Sequence, residues 1–563
     1  MKSKTTRFLL PSLGILVCGS LLFELAERFV ATAYGMAEPG GSQSQSSRVS
    51  PAGTVSSACG TASGTRFNLE RRNNPVPQNE TAVDFLPGAG LSGADLIVGG
   101  ANDFRLLTSG TGTPGDFRGV FGLTNQTGYY VHRNGADSNP CAADFEGGLP
   151  SLTSPLNGDT LVGVGDPAVA ADVTRQGFFL ADERVGEGEV AATAIAIFRS
   201  TPATLTNSTL CPDGTQNEAS ARQCWPTSVL VDLQSAFSTD FRPNLAVDER
   251  PDGSGVGAGN VYVSGARTGG SIFIATCRSD LSACSPGITI SGSDFADLPH
   301  IAVRPDGGIT ATYSIYTFLP EQAPKADIKW VTCTPKGAPK APICAAPTLI
   351  TTETRAIPYD PFGGGAGVEA AQFVMHTFPK HTHRQDANGI ETYVVWDRCK
   401  VSTAVVYPGV TFADVCPDAD LVMAASNNNG QTWTFGTVDT GVQDQFQPWV
   451  TTDTSTNIVN IAYYSSQSDA FQHRSKILLR QILPGSSTPD PVSAAQIITT
   501  VPMDPAADSF LQGIYIGDYI GLAARGVSGG SRAYIHYTHT AIPGTYNGVK
   551  DPEENNHLSR FDY

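Results

Sequence analysis

One six-residue phrase recurs along the chain and constrains what it can fold into. Its clearest copy is Pro448-Trp449-Val450-Thr451-Thr452-Asp453, followed by a turn and the apolar run 457–464. Further copies stand at 79–84, 167–172, 243–248 and 299–304, with weaker ones at 379–384 and 518–523. Seven copies at a mean spacing of about 73 residues make a long-period repeat, which takes precedence over any local reading. Positions 3 and 5 are mostly apolar: Val169 and Ala171, Leu245 and Val247, Ile301 and Val303, Ile520 and Leu522. Position 4 is small in every copy: Ala82, Ala170, Ala246, Ala302, Thr382, Thr451 and Gly521. Alternation with period two is a strand signature, and a small residue on the other face implies close approach of a neighbouring sheet.

After each phrase comes a turn and then a second strand, at 96–100, 177–181, 260–265, 308–316, 391–396, 458–464 and 532–537. A hairpin repeated in this way, with room for two more strands per repeat, fits the four-stranded antiparallel blades of a propeller. The 59 glycines and 38 prolines, and the lack of a 3.6-residue apolar period, argue against a repeated helix pair. The expectation is therefore an all-β, seven-bladed β-propeller, with six blades plus an irregular N-terminal piece as the alternative architecture. The last repeat supplies three strands, 518–524, 532–538 and 556–563. A fourth is expected from the N-terminal side, at 65–70, closing the ring and removing the exposed sheet edges.

The N-terminus carries Lys2, Lys4 and Arg7 ahead of an apolar run at 8–23, with Ala31-Thr32-Ala33 as a small-residue cleavage site. Residues 1–33 read as a secretory signal peptide, with an uncleaved signal anchor as the alternative. Residues 34–64, rich in Ser, Gly and Gln, read as a flexible leader, and 65–563 as the propeller domain. The formal net charge of −17 argues against a nucleic-acid surface, since phosphate binding needs a basic patch. Beyond an N-terminal anchor, no membrane association is expected.

Of eleven cysteines, Cys18 lies in the apolar run, which leaves ten in an exported chain. Four sequence-close pairs follow: Cys211 and Cys224, Cys277 and Cys284, Cys333 and Cys344, Cys399 and Cys416. Cys59 and Cys141 remain. Connectivity does not follow from spacing alone, but an oxidising compartment favours disulfides. The pairs 277/284 and 333/344 are placed to staple the outer hairpins of consecutive blades. No pair has the two-residue spacing of a zinc knuckle, so no metal or other cofactor is expected. Asp418 and Asp420 give weak support for a structural calcium. His381 and His383 share one strand face and, with His376, form the main histidine cluster. They read as buried, hydrogen-bonded histidines in preference to metal ligands.

In an antiparallel hairpin the start of the first strand and the end of the second lie at the same end. If the first strands line the axis, these ends converge on one mouth of the channel. Strand starts supply Glu80, Asp166, Arg242, Asn244, His300, Lys380, Gln447, Trp449, Asp518 and Tyr519 there. Strand ends supply Asp103, Arg105, Asp182, Glu183, Arg184, Arg267, Asp397, Arg398 and His539. The candidate ligand-binding residues are Asp103, Arg105, Asp182, Arg184, Arg242, Arg267, His300, Lys380, Asp397, Arg398, Trp449, Asp518 and Tyr519. Arginine pairs with carboxylates in a bidentate manner, and Trp or Tyr stacks on a sugar face. A concave mouth so lined suits carbohydrate. Phosphate-binding loops, haem-attachment motifs, metalloprotease helices and Gly-x-Ser-x-Gly elbows are absent.

In the fifth repeat, Ser426-Asn427-Asn428-Asn429-Gly430-Gln431-Thr432-Trp433 follows the strand at 421–425. This resembles the Asp-box of the sialidase-like (BNR) propeller superfamily: Ser426, Gly430, Thr432 and Trp433 match, and Asn428 replaces the Asp. The stretches 94–103 and 517–523 resemble first and last blades of secreted bacterial members. The resemblance covers most of 65–563 and implies the fold, with the box on the turn between a blade's two outer strands. The superfamily's sialidases use an arginine triad, a Tyr nucleophile paired with Glu, and an Asp acid. Phe241-Arg242-Pro243 departs from their early Phe-Arg-Ile-Pro motif, so no catalytic residue carries over. The expected function is an exported module that binds a glycan or an extracellular protein through its charged mouth. The alternatives are an exo-acting glycoside hydrolase on acidic sugars and a structural envelope or surface protein. An enzyme should gather Arg, Tyr and paired carboxylates within reach of one another at one mouth.

Overall fold

The computed structural model describes residues 54–56 and 78–563 apart from internal segments, the longest being 104–125, 357–375 and 405–413. The chain forms a seven-bladed β-propeller of four-stranded antiparallel blades. Blade 1 runs Gln78–Leu86, Leu96–Asp103, Thr127–His132, Phe145–Gly148. Blade 2 runs Thr160–Asp172, Gly177–Gly186, Thr193–Ser200, Thr227–Gln234. Blade 3 runs Asp240–Val247, Val261–Arg267, Ser271–Cys277, Ile288–Thr289. Blade 4 runs Ala296–Val303, Ile309–Thr317, Lys325–Thr334, Thr348–Glu353. Blade 5 runs Lys380–Asp386, Gly389–Cys399, Ala419–Ser426, Thr434–Asp439. Blade 6 runs Gln445–Asp453, Ile458–Ser465, Lys476–Ile482, Gln496–Ile497. Blade 7 runs Gly521–Val527, Gly530–Tyr546, Val549–Asp562. All seven predicted hairpins are present.

The strand that completes blade 7 is Thr54–Ser56, which pairs antiparallel with the final strand through Thr54–Asp562 and Ser56–Arg560. The expected closing strand at 65–70 lies outside the described residues, and the place assigned to it is taken by this earlier segment. Pairing in the ladder is a backbone property that any extended segment of the right reach satisfies, so composition did not single the strand out.

Period-two alternation gives each blade two apolar faces, and each face packs on the next blade. Between blades 1 and 2 the core holds Leu86, Val98, Tyr129 and Val131 against Ala171, Phe178 and Leu180. Between blades 7 and 1 it holds Ala523, Tyr534 and Leu558 against Val83, Phe85 and Tyr130. The small position 4 has the expected cause at Gly521, where a Cβ would come within 2.8 Å of the Val83 nitrogen. Among the described residues four disulfides form, joining Cys211 to Cys224, Cys277 to Cys284, Cys333 to Cys344 and Cys399 to Cys416. The second and third staple the outer edges of blades 3 and 4, while Cys59 and Cys141 lie outside the described residues. No described helix is long and apolar enough to cross a membrane.

Five inner strands share one irregularity. Their pairing register shifts between Asn79 and Ala82, Gly165 and Ala168, Phe241 and Asn244, Asp297 and His300, and Phe446 and Trp449. At each shift one non-glycine residue is left-handed: Glu80, Asp166, Arg242, Leu298 and Gln447, with φ between 49° and 60°. This corrects the phrase in blade 1, where Thr81, and not Asn79, occupies the place held by proline in the other four. A left-handed residue before proline is sterically disfavoured, so conformational strain is stored where the inner strands begin.

Candidate functional site at one end of the channel

Of the strained positions, Leu298 packs in an apolar cluster, while three, Glu80, Asp166 and Arg242, share a polar cluster at the start of the inner strands. Arg242 of blade 3 is its hub. Its Nη1 donates to Asp297 at 2.8 Å, and its Nη2 and Nε donate to Asp518 at 3.1 and 3.3 Å. Its backbone N–H donates to Asp166 at 3.0 Å. His376 Nε2 stands 3.2 Å from the other oxygen of Asp518. Asn102 donates to Glu80 at 2.5 Å and accepts from the Asp166 N–H at 2.8 Å. Blades 1, 2, 3, 4 and 7 therefore meet in one network. The side chains are largely buried, so protonation states are set by neighbours more than by solvent.

Burial, then the adjacent Asp166 and Asp518 carboxylates, push the Glu80 carboxyl well above the usual range. Asp518 behaves in the opposite sense: burial raises it, but His376 and Arg242 outweigh that and hold it ionised. Two carboxyl groups in one cluster are thus kept in opposite protonation states, the pattern by which sites separate acid from base roles.

Beside this network lies an aromatic enclosure. The Lys380 Nζ sits 2.9 Å from the centroid of Phe378, 4.4 Å from that of Trp449 and 5.3 Å from that of Tyr519. Tyr519 reaches across from blade 7 and donates its hydroxyl to the Pro167 carbonyl of blade 2 at 3.1 Å. Burial pushes the Lys380 amine well below its ordinary value, with Asp518 opposing and Arg242 adding to the shift. Asp397 accepts from the N–H groups of Gln447 at 3.0 Å and Phe378 at 3.4 Å, and burial lifts it to about 7. His300 packs edge-on to Trp449 at 5.5 Å and faces His381 with Nδ1 atoms 3.1 Å apart. His381 and His383 both meet the Thr310 hydroxyl, at 2.9 and 2.7 Å. As expected of this cluster, they are buried and hydrogen-bonded, and burial holds all three well below the usual imidazole range.

The mouth thus gathers Arg242, His300, Lys380, Asp397, Trp449, Asp518 and Tyr519 of the predicted set. Other members are spent within their own blade or on a neighbouring blade. Asp103 accepts from the Tyr130 hydroxyl at 3.0 Å. Asp182 and Arg184 form a fully buried pair at 2.7 Å, with the guanidinium also on the Pro150 carbonyl at 3.0 Å and over Phe198. Arg267 grips Asp232 with two bonds of 2.5 Å. Arg398 stands 4.0 Å from Glu353. Arg105 lies outside the described residues. An arginine cluster does not assemble among the described residues, because each arginine found a nearer carboxylate. At the proposed calcium carboxylates, Lys400 stands 3.2 Å from Asp418 and 4.0 Å from Asp420, so a cation of the chain itself already faces them. Asp297 and Asn102 were missed as site residues, and Phe378 too. The only signal was their place one to three residues from a strand start or end already singled out.

The far end of the channel is spanned by Arg525 of blade 7. It pairs with Asp84 of blade 1 at 2.9 Å and Glu249 of blade 3 at 2.8 Å, and touches the Ala171 carbonyl of blade 2. The outer hairpin of blade 5 closes as the octapeptide requires. Asn428 accepts from the Thr432 N–H at 3.0 Å, and Ser426 Oγ accepts from the Gly430 N–H at 2.9 Å. Trp433 packs edge-on to Trp330 of blade 4 at 5.3 Å.

These features define a seven-bladed propeller with a buried polar network at one channel end. No protein-family model matches the chain, and no curated protein matches it. Among solved structures, a PL25 ulvan lyase is 7% identical with TM-score 0.38, covering 82% of this chain and 89% of its own. The α-L-arabinanase of Penicillium chrysogenum is 9% identical with TM-score 0.35, covering 76% and 96%. The sialidase Hz136, described as Hadza microbial, is 11% identical with TM-score 0.36, covering 69% and 65%. At such identities and scores these likenesses decide nothing about this chain's chemistry.

Proposed function

We propose that this is an exported, glycan-directed propeller that binds carbohydrate at the channel end where Arg242, Asp518, Lys380, Trp449 and Tyr519 meet. The observation that carries the reading is the juxtaposition of aromatic faces with carboxyl, amine and amide groups of several blades at one mouth, the combination sugars need. Arg242 is committed to Asp297 and Asp518, and carboxyl groups outnumber cations. Neutral, hydroxyl-rich sugars therefore suit the mouth better than sialosides or uronides. The disulfides favour an oxidising compartment. The hairpin at 426–433 supports kinship with sialidase-like propellers. A second reading, glycoside hydrolysis, is favoured by one observation: Glu80 is held protonated in the cluster where Asp518 is held ionised, and glycosidases pair such groups.

A glycan array probed with the wild type and Trp449→Ala tests the first reading. Binding that falls at least tenfold in the variant, with unchanged circular dichroism, supports it. No binding to any glycan overturns it and leaves a protein partner or a scaffold. A panel of fluorogenic neutral glycosides, sialosides and uronides tests the second. Turnover lost in Glu80→Gln establishes hydrolysis, and no turnover across the panel rejects it.

A further inference from the structure

Lys380 is an amine in an unusual setting. It stands at the start of the inner strand of blade 5, is 2% exposed, and is ringed by Phe378, Trp449 and Tyr519. Among the described residues its Nζ has no hydrogen-bond partner and no ion pair. Other described lysines differ: Lys329 is 3.0 Å from Asp327, and Lys400 is 3.2 Å from Asp418 with a side chain 40% exposed. A buried ammonium without a hydrogen-bonded counter-ion is costly, and the group responds by losing its proton. Aromatic faces offer such an amine a water-poor enclosure while leaving its lone pair uncommitted. Trp449 is only partly buried, so the enclosure has one side that solvent reaches. Asp397, whose carboxyl is lifted by burial, and Asp518 are within electrostatic reach, as is Arg242.

We propose that Lys380 is a carbonyl-capturing nucleophile, forming an imine with the aldehyde or ketone of an open-chain sugar. The Nζ lone pair attacks the carbonyl carbon, and the C=O π pair moves to oxygen, which takes one of the two protons of the now cationic nitrogen, giving a neutral carbinolamine. The Asp397 carboxyl supplies the proton on which the hydroxyl leaves as water, and the nitrogen returns its surplus proton to that carboxylate. No oxidant or reductant is required. Neutral amines are the reactive form, and an ordinary lysine near pKa 10.4 is less than about 0.1% neutral at pH 7. The sugar class rests on the glycan reading above; the amine's reactivity does not.

The test is to incubate the full chain at pH 7 with D-glyceraldehyde and cyanoborohydride, which reduces any imine to a stable secondary amine, and to map the modified lysines by peptide mass spectrometry. Lys380 should be labelled at least tenfold faster than Lys400, the exposed reference. Lys380→Met should lose the fast phase, and Asp397→Asn should slow it with Lys380 still present. Labelling of Lys380 at or below the rate of Lys400 overturns the proposal. That comparison is made within the wild-type chain, so it stands even if Lys380→Met does not fold. Fast labelling together with a blank glycan array would keep the nucleophile and reject the glycan reading alone.

Discussion

At the scale of single residues, charge pairing and burial at the mouth dominate. Arg242 neutralises two carboxylates that water does not reach well. Arg242→Ala leaves Asp297 and Asp518 without their cation, and breaking a buried pair costs about 3–5 kcal/mol. A urea-melt midpoint within error of the wild type would refute this. Acid should destabilise the protein for a second reason. Burial holds His381 at about 3 and both His536 and His539 at about 4. An unfolded imidazole titrates near 6.5, so between about pH 6.5 and 4 the unfolded chain binds more protons and stability falls as pH falls. Glu80 acts in the opposite direction. Its native carboxyl keeps a proton that the unfolded chain releases above about pH 4.3, so its share is lost as pH rises. Urea midpoints at pH 7 and pH 5 should differ, the lower value at pH 5, and His536→Asn should shrink the gap. Equal midpoints would contradict the assignment. Which residue types stand at the strand starts was legible in the sequence. Which of them meet was not, since Arg184 and Arg267 look like Arg242 on paper and differ in the carboxylate that lies nearest, Asp182 of the same blade for Arg184 and Asp232 of blade 2 for Arg267.

At the scale of elements, the hairpins were readable because alternation and turn residues are local. The register break in five inner strands was not, because a bulge adds a residue without changing composition. The blade 5 outer hairpin shows how a local signal and a tertiary contact combine. Gly430 has φ +78°, and a Cβ there would stand 2.2 Å from Nε1 of Trp330 in the neighbouring blade. Gly430→Ala should therefore cost more than the ~1 kcal/mol expected of backbone strain alone, by displacing that ring. Trp330→Leu, which frees the space, should bring the penalty of Gly430→Ala back towards that strain value. Equal penalties in both backgrounds, measured as a double-mutant cycle, would rule the contact out.

At the scale of the whole molecule, closure decides stability. Thr54–Ser56 covers the outer edge of Val549–Asp562 and joins the first described segment to the last. A chain beginning at residue 60 should melt earlier and self-associate through the bared edge, read by light scattering after size exclusion. A monomer with unchanged melting temperature would show that the strand contributes nothing. Arg525 works at the same scale from the opposite end, linking blades 7, 1 and 3 across the channel.

The sequence by itself determined the all-β character, the sevenfold hairpin repeat, and the sequence-close cysteine pairs that the structure joins. Each of these depends on periodicity or on separations short enough to limit the geometry. Only the tertiary structure decided which segment closes the ring and where the inner strands slip. It also decided which charges gather at the mouth and that Lys380 is enclosed by aromatic rings from three blades. Those outcomes depend on residues hundreds of positions apart, and on a competition among carboxylates for each arginine that is settled by distance in the folded ring.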